Sequence, residues 1–141
     1  MILSDFLKDQ SKYPEIGGDW RLVLASRSLP GNESPDGRAH VLDVGEFQID
    51  ENAEEIDIMP TCFMAEGSVG LTVSCLSSLI SEMPNVSDFQ LSGIVGVKHL
   101  ADGGRAQRSN GIIGSYVRSE EKEYWLLIAP ELQWPSHWFG T

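Results

Sequence analysis

The fifteen residues from Asp43 to Asp57 constrain the fold most, because acidic and apolar side chains are interleaved along them. The stretch carries seven carboxylates and no cation: Asp43, Glu46, Asp50, Glu51, Glu54, Glu55 and Asp57. Ile56 and Ile58 alternate with Glu55 and Asp57, in the period of two that is typical of a half-buried strand. Residues 50–53 have the composition of a polar turn. The stretch therefore predicts a β-hairpin whose carboxylates lie on the solvent face.

The same period of two recurs along the chain between turn-forming residues. Strands are predicted at residues 20–26, 41–49, 54–63, 89–97, 111–118 and 124–129. A bulge near Gly45 brings the apolar residues on both sides of it onto the core. Pro60 interrupts the third strand, because proline has no amide hydrogen for the ladder. The last three strands are expected to form an antiparallel meander.

Two segments have helical spacing, residues 3–13 and 72–83. Ser4 is the expected N-cap of the first helix, and Pro14 and Pro84 end the two segments. A chain of 141 residues is long enough for one core. We therefore predict a single α+β domain over residues 1–141, with a mainly antiparallel, twisted sheet of five to six strands in meander hairpins, packed by two helices.

Three other segments are polar, glycine-rich or aromatic. Residues 28–38 contain two turn signals, Pro30-Gly31-Asn32 and Pro35-Asp36-Gly37, and are expected to form an exposed loop. Residues 101–110 are expected to form a long mobile hairpin loop. Near the carboxyl end, Trp134 and Trp138 are expected either to dock on the sheet or to contact a partner, since tryptophan is enriched in interface hot spots.

The net charge of -11, from 21 acids against 10 Lys and Arg, limits the classes of partner. A negative field of this size repels nucleic acid and anionic membranes and attracts basic proteins. The amino-terminal residues have neither the cationic start nor the apolar run of a signal peptide, so the expected location is the cytoplasm. Cys62 and Cys75 are then expected to be reduced, although a single bridge between them stays open.

Local signatures of catalysis and metal binding do not occur in the chain. It has no G-x-S-x-G elbow, no phosphate loop, no H-E-x-x-H pair and no EF-hand order of acids. The acids of residues 43–57 are expected on a wet surface, where nothing raises a pKa toward neutrality. We accordingly predict no enzymatic activity, no cofactor and no metal.

The basic residues near residue 100 are the one candidate anion site in the sequence: Lys98, His99, Arg105 and Arg108. Two arginines on a glycine-rich loop can close over a phosphate or carboxylate with bidentate hydrogen bonds. His99 beside Asp102 has the composition of a base with its orienting partner. The plainer alternative is a solvated loop whose charges offset part of the acidic face.

Two classes of function follow from this charge pattern. The first is a protein-binding module, a stoichiometric inhibitor of the immunity or antitoxin type, whose seven carboxylates cover the cleft of a basic, nuclease-like partner. It resembles immunity proteins in size and charge only. The second is a protein or enzyme that binds a small anion through residues 98–108. Two plainer possibilities are a structural subunit that assembles through its aromatic tail, and an acidic hairpin that only prevents sheet-to-sheet aggregation.

Overall fold

The computed structural model describes residues 1–26 and 41–128. These residues form two α-helices, six β-strands and two short 3-10 helices (Thr61–Phe63 and Pro84–Asp88). The α-helices and strands are α1 (Leu3–Lys12), β1 (Arg21–Ser26), β2 (Val41–Asp50), β3 (Glu55–Pro60), α2 (Val73–Glu82), β4 (Gln90–His99), β5 (Arg105–Arg118) and β6 (Glu123–Ile128). The predicted α+β class, strand number and two helices are confirmed. The loop at residues 28–38 and the aromatic tail fall outside the described residues.

The six strands close into a barrel in the order β1-β2-β3-β4-β5-β6. Four of the neighbouring pairs are antiparallel, whereas β3 pairs with β4 and β1 pairs with β6 in parallel. A parallel pair needs a crossover connection, and the segment that contains α2 supplies it between β3 and β4. Closure removes the exposed sheet edges that an open meander would have.

The chain repeats one topology twice, a helix followed by a three-stranded antiparallel meander. Helix α1 precedes β1, β2 and β3, and α2 precedes β4, β5 and β6. The two halves share a detail of the backbone: Glu54 just before β3 and Lys122 just before β6 both have left-handed φ angles, of 52° and 55°.

The core lies inside the barrel and beneath the helices. Phe6 of α1 packs edge-on against Tyr124 of β6, with ring centroids 5.2 Å apart. Across the barrel, a Cβ atom added to Gly93 would lie only 2.9 Å from Ile128 Cδ1 and 3.4 Å from Leu24 Cδ2. The absence of a side chain at this position therefore lets two strands on opposite walls pack closely.

The first helix is held by its own carboxylates. The Ile2 amide donates to Asp5 Oδ2 at 2.9 Å, so Ile2 and not Ser4 occupies the N-cap position, and the predicted cap is wrong. Asp5 caps the helix instead of Ser4, because its carboxylate reaches back one turn and accepts a hydrogen bond from the Ile2 amide, which has no partner within the helix. Asp9 accepts hydrogen bonds from the Ser115 hydroxyl and, at 2.5 Å, from Tyr124 Oη. These bonds fix α1 to β5 and β6.

The irregularity expected near Gly45 is confirmed, since the register of β2 and β3 shifts between Val44 and Glu46. Val44 is fully buried, and Phe47 and Ile49 pack against the core from the other side of the bulge. Residues on both sides of the bulge thus point inward, while Glu46, the one carboxylate between them, is exposed.

The long loop predicted at residues 101–110 is wrong, because β5 begins at Arg105. Residues 96–99 pair with residues 105–108 in regular register, and the connection is a tight turn at residues 100–104. Gly103 has a φ of 86°, which allows the chain to reverse within so few residues. The backbone ladder holds Arg105 to Asn110 as a strand although none of these side chains is apolar except Ala106.

Candidate functional site

The β2–β3 hairpin carries a group of carboxylates that we name the acidic surface. Its members are Glu46, Asp50, Glu51, Glu54, Glu55 and Asp57. The first four are exposed, and Glu55 and Asp57 are partly buried. Ile56 and Ile58 on the same strand are fully buried. Six of the seven predicted residues therefore lie together on the outer side of one hairpin.

The register of the hairpin sets the spacing of these carboxylates. Asp50 lies opposite Glu55, and Gln48 lies opposite Asp57. Directly opposed residues on one face have Cβ atoms about 5 Å apart, and residues two apart along a strand are separated by about 7 Å. On its other side β3 pairs with β4 along residues 55–58, whereas β2 pairs with β1 only at residues 41–43. The carboxylates are thus close neighbours on a supported backbone.

Asp57 shows the consequence of this crowding. Burial raises its pKa to about 6, with further contributions from a hydrogen bond shared with the Glu55 carboxyl and from the negative charges of Glu55 and Asp50. In the ionised form, Asp57 Oδ1 is shielded from solvent and accepts no hydrogen bond from a described residue. In the protonated form, Asp57 can donate to Glu55. The expectation that no pKa on this face approaches neutrality is therefore wrong.

The acidic surface also lacks internal cations. None of its six carboxylates forms an ion pair with a residue in the described ranges. Asp50 Oδ1 accepts only a backbone hydrogen bond, from the Ala53 amide at 3.0 Å, which closes the turn. The negative charge of this surface is consequently directed at the solvent.

A shallow depression of about 500 Å³ lies on this hairpin, lined mainly by polar side chains. Its lining residues are Gln48, Ile49, Asp50, Glu51, Asn52, Asp57 and Gln107. Gln107 belongs to β5, and its Nε2 donates to Gln48 Oε1 of β2 at 3.1 Å across the two intervening strands. The β4–β5 hairpin therefore borders the acidic surface, a proximity that the sequence does not indicate.

The seventh predicted residue, Asp43, lies in a different group that we name the paired cluster: Arg21, Asp43, Arg118, Glu121 and Glu123. Arg21 Nε lies 3.0 Å from Asp43 Oδ1, and Arg21 Nη2 lies 2.7 Å from Glu123 Oε2. Arg118 contacts Glu123 at 3.6 Å and Glu121 at 3.0 Å. Every acid in this group thus has a cationic neighbour.

Glu123 is the buried member of the paired cluster, with 8% of its surface exposed. Trp125 Nε1 donates to Glu123 Oε1 at 3.3 Å. The Arg118 guanidinium lies 5.0 Å from the centre of the Trp125 ring, within the range of cation–π attraction. Sequence patterns missed this cluster, because the pairing of β1 with β6 joins residues about one hundred positions apart.

The four predicted anion-binding residues are not brought together on one face. His99 lies opposite Arg105, whereas Lys98 and Arg108 lie on the other side of the hairpin, opposite Ala106 and Gly96. Arg105 and Arg108 are three residues apart in a strand, so they point to opposite faces and do not form the expected clamp.

The Asp102 carboxylate is used within its own turn, where Oδ1 accepts from the Gly104 amide at 2.8 Å. Cys62 and Cys75 are both free thiols. Within residues 1–26 and 41–128, no group of three or more His, Cys, Asp or Glu side chains is arranged to hold a metal ion. No helix in these ranges is long and apolar enough to cross a membrane. Trp134 and Trp138 lie outside the described residues.

Comparison of the chain with protein-family models, with curated proteins and with solved structures finds no match in any of the three.

Proposed function

We propose that this protein is a small acidic binding module, a stoichiometric inhibitor of the immunity or antitoxin type that covers the basic cleft of a nuclease-like enzyme. The observation that supports this proposal is the acidic surface, six carboxylates that form no ion pair with a described residue. Asp43, which the sequence pattern grouped with these six, instead forms an ion pair with Arg21, and the buried Glu123 contacts both Arg21 and Arg118.

The proposed interaction is electrostatic in its approach and hydrogen-bonded in its contact. Lysines and arginines that bind a polyanion in the partner's cleft would meet carboxylates held at similar separations along two strands. Complementary charge raises association rates by about tenfold to a thousandfold at low salt. Because β3, which carries Glu55 and Asp57, is paired with β2 on one side and with β4 on the other, little conformational entropy of these residues is lost when the partner binds.

The protonation of Asp57 links this binding to pH. A cation placed beside Asp57 stabilises the ionised carboxylate and lowers its pKa from about 6, so binding releases a proton. Below pH 6 the free protein holds that proton, which opposes binding of a cation. We therefore expect the affinity for a basic partner to fall as the pH is lowered from 7 to 5.

The proposal is tested with two variants of equal net charge. The hairpin variant carries Glu54→Gln, Glu55→Gln and Asp57→Asn, and the control variant carries Glu15→Gln, Glu66→Gln and Glu120→Gln, three exposed acids outside the acidic surface. Each is used to capture proteins from an extract of the source cells at low and high salt. Wild type and control should retain the same basic enzyme at low salt and inhibit it in equal ratio.

The hairpin variant should fold normally and lose this partner, chiefly through a slower association rate. Equal capture by the hairpin and control variants would show that net charge alone is responsible, and would refute the proposal. Retention of no basic enzyme by the wild-type protein at low salt would also count against it.

A further inference from the structure

A second depression lies between the β4–β5 hairpin and the 3-10 helix Thr61–Phe63, and it shares Gln107 with the depression on the acidic surface. It has a volume of about 490 Å³ and mostly apolar walls. Its lining residues are Phe63, Gly96, Val97, Lys98, Ala106, Gln107 and Arg108. This volume lies in the range of about 300–1,000 Å³ that is usual for small-molecule sites.

The register places this depression at the mouth of the barrel. The pairing of β3 with β4 ends at Ile58 and Gly93, so β4 continues beyond its neighbour and leaves space beside Phe63. Arg108 and Ile112 are four residues apart on β5 and share a face, and Ile112 belongs to the buried core. The face that carries Arg108 is thus continuous with the barrel interior, and barrel mouths are frequent ligand sites.

Two cations lie on that same face of the hairpin. Gly96 is opposite Arg108, and Lys98 is opposite Ala106. Both cationic side chains are exposed, and Lys98 forms no ion pair with a residue in the described ranges. Phe63, which also lines the depression, is partly buried. Positive charge therefore borders an apolar surface in a chain whose net charge is -11.

We infer that this depression binds a small amphipathic monoanion, a medium-chain carboxylate, with its head group at Lys98 and Arg108 and its apolar chain against Phe63 and Ala106. We choose this class of ligand because the depression combines two cations at its rim with mostly apolar walls. An apolar wall favours a hydrocarbon chain, and a carboxylate at the rim gains a charge-assisted hydrogen bond from Lys98 and is attracted by the positive charge of Arg108. A depression of about 490 Å³ has room for a small molecule of about ten heavy atoms, and it is too small for a folded partner.

The inference is tested by titrating octanoate into the isotopically labelled protein and following the backbone amide signals by NMR. Saturable shifts are expected at residues 63, 96–98 and 106–108, with a dissociation constant on the order of 1 mM. Octanol should bind about fivefold or more weakly, since it has no charge, and octylamine more weakly still. Equal binding of octanoate and octanol would overturn the inference.

Matched variants of the hairpin locate the head group. Lys98→Gln should weaken octanoate binding about fivefold, whereas Arg105→Gln, on the opposite face of the same hairpin, should leave it unchanged. Equal weakening by both variants would mean that the general field of the hairpin binds the anion, and the site would be refuted. Phe63→Ala should weaken octanoate and octanol alike, and its folding is checked by circular dichroism.

Discussion

The paired cluster and the acidic surface are both rich in carboxylates, but only the first contains cations. Glu123 is 8% exposed and lies between two arginines, where an uncompensated charge would be costly. On the acidic surface no carboxylate forms an ion pair with a described residue, and burial together with the charges of Glu55 and Asp50 raises the pKa of Asp57 to about 6. Cations thus lie beside the buried acid of the paired cluster, whereas the partly buried Asp57 forms no ion pair with a described residue. The acidic surface is therefore a cost to stability that a binding function would explain.

The largest expected effect is loss of stability on breaking the paired cluster. Arg21→Gln removes the guanidinium shared by Asp43 and Glu123 and leaves a buried carboxylate with weaker compensation from Arg118. The free energy of unfolding at pH 7.5 should fall by about 2 to 3 kcal/mol. Urea denaturation measures it, with the exposed Arg105→Gln as control, expected within about 0.5 kcal/mol of wild type. Equal losses of unfolding free energy in Arg21→Gln and Arg105→Gln would show that the paired cluster contributes no special stability.

A slightly smaller effect is expected at Asp9, a carboxylate satisfied by neutral donors. Tyr124→Phe removes the 2.5 Å hydrogen bond to Asp9 Oδ2 without changing the packing against Phe6. Thermal or urea unfolding should show a loss of about 1 to 2 kcal/mol. Tyr116→Phe is the matched control, because Tyr116 is 56% exposed and should contribute little through its hydroxyl. A loss in Tyr124→Phe no larger than in the control would contradict this account of α1.

On the acidic surface, removal of a charge is expected to raise the stability of the protein instead of lowering it. Asp57→Asn removes a charge that the folded state disfavours, so the variant should be more stable than wild type by about 0.5 to 1 kcal/mol at pH 7.5. The pKa of an aspartate in the unfolded chain is about 4, and the pKa of Asp57 in the folded protein is about 6. Wild type consequently loses stability as the pH rises from 4 to 6.

The gain in Asp57→Asn should therefore shrink as the pH falls through 6 and disappear near pH 4, where both states are protonated. Urea denaturation at pH 4, 5, 6 and 7.5 measures this dependence, with Glu66→Gln as an exposed acid outside the hairpin. A pH-independent gain, or a loss of stability at pH 7.5, would show that Asp57 is not penalised by its neighbours.

The sequence was sufficient for the elements whose apolar side chains alternate. The hairpin of residues 41–60 could be predicted in detail, including the bulge near Gly45 and the inward direction of Ile56 and Ile58, because burial on one face leaves a period of two. The carboxylates of the acidic surface were located by the same alternation. Barrel closure was not predictable, since the parallel pairing of β1 with β6 depends on contacts distant in sequence.

Pairing between strands that are distant in sequence also explains why the predictions near residue 100 were wrong. Residues 105–110 show no apolar alternation and are therefore predicted as a loop, although their pairing with residues 93–99 makes them a strand. The contact of Gln107 with Gln48 and the separation of Asp43 from the acidic surface also depend on register between strands. Patterns in a single strand report which face is buried, and they carry no information about the neighbouring strand.

The smallest expected effect is a salt dependence. Repulsion among exposed carboxylates is screened at high ionic strength, so the stability difference between the hairpin variant and wild type at pH 7.5 should narrow by about 0.5 kcal/mol between 0.05 and 0.5 M NaCl. Parallel urea titrations measure the difference, and the control variant with Glu15, Glu66 and Glu120 changed should show a weaker dependence. If salt narrowed the stability difference more for the control variant than for the hairpin variant, the main charge repulsion would lie outside the acidic surface.

The most direct test of the acidic surface is to map where a simple cation binds. Titration of octalysine into the labelled protein at pH 7.5 and low salt should shift the backbone amide signals of residues 46–57, and the hairpin variant should lose these shifts while the control variant keeps them. Shifts that are spread evenly over the chain, or that concentrate at Arg21, Asp43 and Glu123, would contradict the assignment of this hairpin as the cation-binding surface.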